Sequence, residues 1–238
     1  MALARPFGER RPTDGVIAAV AVLVLTQLVG LIWAVIMAGI IWSGEVPDPF
    51  TPSAVVLLTV GLWAGYGIGS AWLATSLGDG PGAEYGATIK LADVPVGAAI
   101  GVGLQIAVLP LLYFVIGRFI DIDPSESARE LVNQADGVLD LALLVVAVVV
   151  MAPLVEELFF RGLLLQSIDR AIGPVPAVLI SSVVFALVHV EPIVLPGLFL
   201  FGVVASVITL RTGSLGIAWA LHAAFNLTTV VLIRAGVI

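Results

Sequence analysis

Residues 138–168 read VLDLALLVVAVVVMAPLVEELFFRGLLLQSI, an apolar run of membrane-spanning length. A spanning helix needs about 20 mostly apolar residues. Ionisable side chains inside such a helix are energetically costly, and they usually face a cavity or one another. Glu156, Glu157 and Arg161 nevertheless lie close together within this run. The run therefore predicts a membrane helix that carries functional residues.

The composition of the whole chain is also that of a membrane protein. Of its 238 residues, 60% are hydrophobic and 11% are charged, and the mean hydropathy is +1.16. A soluble domain has about 25% charged residues, so this chain has too little polar surface to fold as a water-soluble globule. It has no cysteine, which excludes disulfides, thiolate metal sites and a cysteine nucleophile. With a net charge of −7, no basic surface for nucleic acid is expected.

Apolar segments recur along the chain and predict an all-α, polytopic membrane helical bundle. Pro153 is expected to kink the fourth segment. The acidic stretch from Asp121 to Asp136 is expected to be a solvated amphipathic segment. Glycine-rich faces such as Gly97 and Gly101 are expected to pack closely against neighbouring helices. The expected spans are Val16–Trp42, Ser53–Leu77, Val94–Ile116, Val138 to about Ile168, Pro174–His189, Ile193–Leu210 and Leu215–Ile233.

The distribution of basic residues predicts a cytoplasmic N-terminus. In that orientation six Lys and Arg residues lie in inner segments and three in outer segments, as the positive-inside rule favours. Arg5, Arg10 and Arg11 contribute most of this bias. We therefore expect a cytoplasmic segment at residues 1–15, N-terminal transmembrane helices and loops at residues 16–137, and a C-terminal membrane core at residues 138–238. The composition suggests a bacterial plasma membrane.

Polar residues on three different spans are predicted to share one depth in the membrane. On a helix that rises about 1.5 Å per residue, Glu156 lies roughly 18 Å from the cytoplasmic end of its span. The same measure places His189 at roughly 22 Å, and His222 and Asn226 at roughly 12 and 18 Å. We therefore expect these side chains to meet in a single layer.

Helical spacing predicts which of these side chains face each other. Glu157 and Arg161 are four residues apart and can form an ion pair. Glu156 points about 100° away from Glu157, so it is free to face a cavity. His222 and Asn226 are also four residues apart and share a helix face.

This set of groups has the chemistry needed to hydrolyse an amide without a covalent intermediate. A carboxylate beside an imidazole can hold and deprotonate a water molecule. A second imidazole and an amide can donate hydrogen bonds to a developing oxyanion. Serine proteolysis fits poorly, because no serine lies in a GxSxG sequence.

Three short motifs resemble those of a known family. They are EExxxR at residues 156–161, FxxxH at residues 185–189 and HxxxN at residues 222–226. In this order they resemble the CPBP intramembrane proteases, also called the CAAX protease and bacteriocin-processing, or Abi, family. The resemblance covers Val138 to Asn226. It implies about seven to eight transmembrane helices around a conical intramembrane cavity, and an endopeptidase that uses glutamate-activated water.

The resemblance also implies a role for each catalytic residue. Glu156 would be the general base on water, and His189 would help to position that water. His222 and Asn226 would bind the oxyanion. Residues 138–238 would then be the catalytic core.

Supporting groups and cofactors follow from the same resemblance. Glu157 and Arg161 would support the site. No cofactor and no metal are expected, since the sequence lacks the HExxH spacing of a zinc helix. Zinc held by the two histidines and two glutamates is the alternative.

Other functions remain open on the sequence alone. Glu157 and Arg161 can form a purely structural ion pair, and His222 and Asn226 can join helices by hydrogen bonds. A non-catalytic scaffold or bacteriocin-immunity protein would keep the fold without cleavage. A proton-coupled transporter is less well supported, because no pair of broken spans recurs in matching halves. The expected partners are membrane lipid and a peptide or membrane-anchored protein substrate.

Overall fold

The structure of the chain is a computed structural model that describes residues 12–41, 51–120 and 122–238. The described residues form helices joined by turns and contain no strand, which confirms the predicted helical membrane bundle. Trp42, Arg5, Arg10, Arg11 and Asp121, on which parts of the span and orientation predictions rest, lie outside the described residues. The helices are α1 (Pro12–Ile41), α2 (Pro52–Leu77), α3 (Pro81–Tyr85), α4 (Asp93–Ile116), α5 (Glu126–Asn133), α6 (Val138–Ile172), α7 (Pro174–Leu187), α8 (Leu195–Thr212) and α9 (Leu215–Arg234).

Six of the described helices are long and apolar enough to cross a bilayer, fewer than the seven to eight expected. The difference lies at the fifth expected span. Its helix, α7, has 14 residues, which is about 21 Å and shorter than the hydrocarbon core of about 30 Å. α7 ends at Leu187, and the chain then turns through His189 before Glu191 and Pro192. His189 therefore lies in a turn and not on a helix.

Helix α6 contains two wider, π-helical turns, at Val145–Met151 and Leu158–Leu164. In a π-helical turn each N–H bonds to the carbonyl five residues earlier, as Ala152 does to Ala147. Pro153 follows the first of these turns and has no N–H to donate to the carbonyl of Val148. Pro153 thus leaves the carbonyl of Val148 without a partner within the helix, and the kink expected at Pro153 stays a prediction.

Glycines set the distance between α4 and α9. A Cβ on Gly97 would overlap the carbonyl of Ile217, and a Cβ on Gly101 would overlap the carbonyl of Leu221. The predicted close helix packing at these two glycines is confirmed. This contact places the middle of α4 directly against the turn of α9 that carries His222.

Candidate active site

Glu156 on α6 and His222 on α9 meet inside the bundle. The Oε2 atom of Glu156 lies 3.9 Å from the Nε2 atom of His222. The side chain of Glu156 is 17% exposed and that of His222 is 7% exposed. A water molecule at a hydrogen-bond distance of about 2.8 Å would reach both atoms at once. The pair therefore has the geometry to hold and polarise one water molecule.

Glu157 holds the other side of the His222 ring. Its Oε1 atom lies 2.8 Å from Nδ1 of His222 and 2.9 Å from Nη1 of Arg161. Because a carboxylate only accepts hydrogen bonds, Nδ1 of His222 carries a hydrogen and is the donor in this bond. The ring is thereby fixed with its Nε2 atom towards Glu156.

Arg161 is completely buried and is held by one ion pair and two aromatic rings. Its guanidinium carbon lies 4.3 Å from the centre of the Phe185 ring and 5.5 Å from that of Phe201. Attraction between a cation and an aromatic face is strongest where water is excluded, as it is here. The pairing of Glu157 with Arg161 that helical spacing predicts is confirmed.

His189 lies near this cluster but not in direct contact with Glu156. Its Nδ1 atom is 2.8 Å from the carbonyl of Phe185, so Nδ1 donates and Nε2 is left free. The Phe185 ring is 4.8 Å from the His189 ring and 5.9 Å from the His222 ring, centre to centre. Among the described residues no ion pair of 4 Å or less joins His189 to Glu156. One aromatic ring thus contacts both imidazoles.

Asn226 uses one of its amide hydrogens within the protein. Its Nδ2 atom donates to the carbonyl of Val148 at 2.8 Å. This is the carbonyl that Pro153 cannot satisfy in the first π-helical turn of α6. The second amide hydrogen and the oxygen of Asn226 are left for other partners. Asn226 therefore joins α9 to α6 and retains one donor.

A cavity of about 510 Å³ lies beside the cluster. His189 and Asn226 are part of its wall, whereas Glu156, Glu157 and His222 are not. The wall is otherwise mostly apolar and includes residues from α4, α5, α6, α8 and α9. The structure thus brings Glu156, Glu157, Arg161 and His222 together, and it places the other two predicted residues on the wall of the adjoining cavity.

The short amphipathic helix α5 forms one side of this cavity through Ala128, Leu131 and Val132. Before it, Ser125 donates to Asp123 and holds the pKa of that carboxyl below its usual value. Ser127 donates to Oε1 of Glu191 at 2.7 Å. This bond ties α5 to the turn that carries His189.

Sequence reasoning missed several residues around the site. The Phe185 ring is part of the FxxxH motif, but helical spacing gave no reason to place it against Arg161. Tyr66 accepts a hydrogen bond from Gln27 at 2.6 Å and packs against Phe159, with 4.7 Å between ring centres. Gln27 and Tyr66 are polar residues within apolar runs, and this feature of the sequence could have indicated that they pair.

Comparison with known proteins supports one family for this region. Residues 138–228 match the model of a family described as type II CAAX prenyl endopeptidase Rce1-like. The match includes all three motifs and ends before α9 does. No curated protein and no solved structure matches the chain significantly. The match at residues 138–228 supports the CPBP, or CAAX protease, family that the three motifs of this region resemble.

Proposed function

We propose that the chain is an intramembrane endopeptidase that cleaves a membrane-associated peptide or protein with water activated by Glu156. The observation that carries this proposal is the buried contact of Glu156 with His222, 3.9 Å apart. The family match supports a protease. We further propose a bacterial plasma membrane location with the N-terminus in the cytoplasm.

The proposed reaction begins with a water molecule held between Glu156 and His222. Glu156 takes one proton from this water as the oxygen forms a bond to the carbonyl carbon of the substrate. The negative charge that develops on the carbonyl oxygen is stabilised by N–H groups of His222 and Asn226. The carbon–nitrogen bond then breaks, and the proton held by Glu156 passes to the leaving amine.

The proposed oxyanion contact requires a proton on Nε2 of His222, because Nδ1 already donates to Glu157. His222 therefore acts in this proposal as an imidazolium, and Glu157 stabilises the cation through Nδ1.

We propose that the reaction needs no metal. Among the residues that the structure describes, no group of three or more His, Asp or Glu side chains is arranged to hold a metal ion. The Nδ1 atom of each histidine is also engaged, one with Glu157 and one with the carbonyl of Phe185. Zinc bound to the purified protein in a 1:1 ratio, and lost in His189→Ala, would overturn this part of the proposal.

The activity is tested with purified protein in lipid nanodiscs and quenched fluorescent peptides. One set of peptides carries a prenylated C-terminal cysteine segment, and a matched set carries a plain apolar anchor. Glu156→Gln keeps the shape of the side chain but removes the base, so we expect cleavage to fall at least 100-fold. Glu130→Gln changes an exposed glutamate on α5 and serves as the control, with unchanged cleavage.

Two results would contradict the proposal. Equal cleavage by wild type and Glu156→Gln would remove Glu156 as the base. Failure of the folded wild type to cleave any peptide of either set would favour the non-catalytic scaffold. If both sets are cleaved equally, a prenyl group is not required for recognition.

A further inference from the structure

Gln105 lies in the membrane-spanning part of the chain that no motif covers. It sits in a π-helical turn of α4, Leu104–Val108, roughly 18 Å along the helix from Asp93. The carboxamide oxygen of Gln105 is buried and has no hydrogen-bond partner among the described residues. A buried polar atom without a partner lowers the stability of the fold. Folding alone does not explain this side chain.

Gln105 lines the same cavity as His189 and Asn226. Two other polar groups on the wall, the hydroxyls of Tyr113 and Thr229, are already bonded within the protein. The Tyr113 hydroxyl lies 3.1 Å from the carbonyl of Ile193 and also accepts from the N–H of Gly197. The Thr229 hydroxyl donates to the carbonyl of Phe225 on its own helix. Gln105 differs from these two groups because its buried carboxamide oxygen has no partner among the described residues.

The packing of α4 on α9 fixes the position of Gln105 relative to the site. Gly101, one helical turn earlier, lies against Leu221 and Phe225 of α9. Gln105 therefore lies beside the turn of α9 that carries Asn226.

A substrate of the proposed protease must expose backbone groups in this cavity. A peptide bond has to leave helical structure before water can reach its carbonyl, and its neighbouring N–H and C=O groups then lose their partners. In an apolar cavity each unsatisfied group is energetically costly, because neither lipid nor apolar side chains can replace the lost hydrogen bond. A glutamine amide has both a donor and an acceptor, so it can bond to the C=O and N–H groups of an extended chain.

We infer that Gln105 binds the backbone of the substrate next to the bond that is cleaved. This inference rests on the proposed peptidase function and adds to it a positioning residue from the N-terminal helices. Gln105 makes this hydrogen bond to the substrate backbone both in the bound complex and in the transition state. Its loss therefore weakens binding and leaves the chemical step almost unchanged.

The test compares Gln105→Met, which keeps the length of the side chain but removes its amide, with wild type. We expect KM for the quenched peptide to rise about tenfold and kcat to change less than about twofold. The melting temperature in nanodiscs is expected to stay the same or rise, because an unpaired buried amide is removed. Thr59→Val on α2 is the control: the hydroxyl of Thr59 donates to the carbonyl of Val55 on its own helix and does not line the cavity, so its KM is expected to be unchanged.

A structural role for Gln105 predicts different results. A lower melting temperature with an unchanged KM in Gln105→Met would overturn the inference, as would equal KM values in Gln105→Met and Thr59→Val. Binding of the same peptide is also measured in the Glu156→Gln background, where no turnover is needed. If wild type cleaves nothing but Gln105→Met still weakens binding about tenfold, the peptidase proposal fails and the backbone contact stands. Unchanged binding refutes the backbone contact whether or not cleavage occurs.

Discussion

His222 donates a hydrogen bond from Nδ1 to Oε1 of Glu157 at 2.8 Å, across 65 positions of sequence. The same oxygen atom pairs with Arg161 at 2.9 Å. One buried carboxylate therefore orients the imidazole and neutralises the guanidinium. Removing one member of such a buried set leaves an uncompensated charge, which is far more costly than the loss of an exposed ion pair.

The variant Glu157→Gln tests this relationship. It keeps the shape of the side chain but leaves the Arg161 charge unpaired, so we expect a loss of about 3–5 kcal/mol in the free energy of unfolding. Peptide cleavage should also fall, because the His222 ring loses the group that orients it. Thermal unfolding in nanodiscs and cleavage of the quenched peptide measure the two effects.

The double variant Glu157→Gln, Arg161→Met separates charge from shape. It removes both charges, so it should be more stable than Glu157→Gln alone. Cleavage should not recover, since His222 still lacks its carboxylate partner. A melting temperature for Glu157→Gln equal to that of wild type would show that this buried pair does not stabilise the fold.

The contacts of the Phe185 ring predict that this side chain contributes to cleavage. It contacts the Arg161 guanidinium and both histidine rings, and a desolvated cation on an aromatic face contributes about 2 kcal/mol. We expect Phe185→Leu to reduce cleavage at least tenfold. Phe159→Leu alters an equally buried ring that packs against Tyr66. It should lose comparable stability while keeping most of its activity, and equal losses of cleavage in the two variants would count against a special role for Phe185.

The membrane helices of the bundle and one contact of the site, the ion pair of Glu157 with Arg161, could be predicted from the sequence. Apolar runs predicted the membrane helices because lipid requires every backbone group to be bonded within a helix. Four-residue spacing predicted the bond between Glu157 and Arg161, since such residues share a helix face. The catalytic roles of Glu156, His189, His222 and Asn226 stay predictions.

Other features depend on how helices meet, which spacing along one helix cannot show. The bond between Glu157 and His222 requires the register of α6 against α9. The π-helical turns alter the direction in which side chains leave α6, and nothing in the five valines and one alanine at residues 145–150 signals them. The short length of α7 arises because the chain leaves the helix at Leu187, although Val188 continues the apolar run.

Val190 predicts an effect on stability that is separate from catalysis. Its φ angle is +55°, in the left-handed region that β-branched residues avoid. Its side chain is 84% exposed, so little packing is lost when it is replaced. Asn tolerates this conformation, and we expect Val190→Asn to stabilise the protein by about 1 kcal/mol, or roughly 2–4 °C in melting temperature.

The control for Val190→Asn lies two residues earlier. Val188 has an ordinary φ of −69° and packs against the core. Val188→Asn should therefore lower the melting temperature. If Val190→Asn also lowers it, the left-handed conformation does not strain this turn.

The bond between Ser127 and Glu191 predicts how access to the cavity is controlled. A hydrogen bond to a charged acceptor contributes about 1.5–3 kcal/mol, and this one ties α5 to the turn that carries His189. Ser127→Ala should let α5 move away from the cavity more often. The chain has no cysteine, so Thr229→Cys supplies a single thiol on the cavity wall. Its reaction with a water-soluble maleimide reports how often the cavity opens.

We expect the Ser127→Ala background to accelerate this labelling about tenfold, because a change of about 1.4 kcal/mol in an opening equilibrium is a factor of ten. Ser127→Thr retains the hydroxyl and should label at the original rate. A cysteine at the exposed position Phe119 should react equally fast in all backgrounds, since it never depends on α5. Equal labelling of Thr229→Cys with and without the Ser127 hydroxyl would mean that other contacts, such as the bond from Arg234 to the carbonyl of Ala135 just after α5, hold the cavity closed.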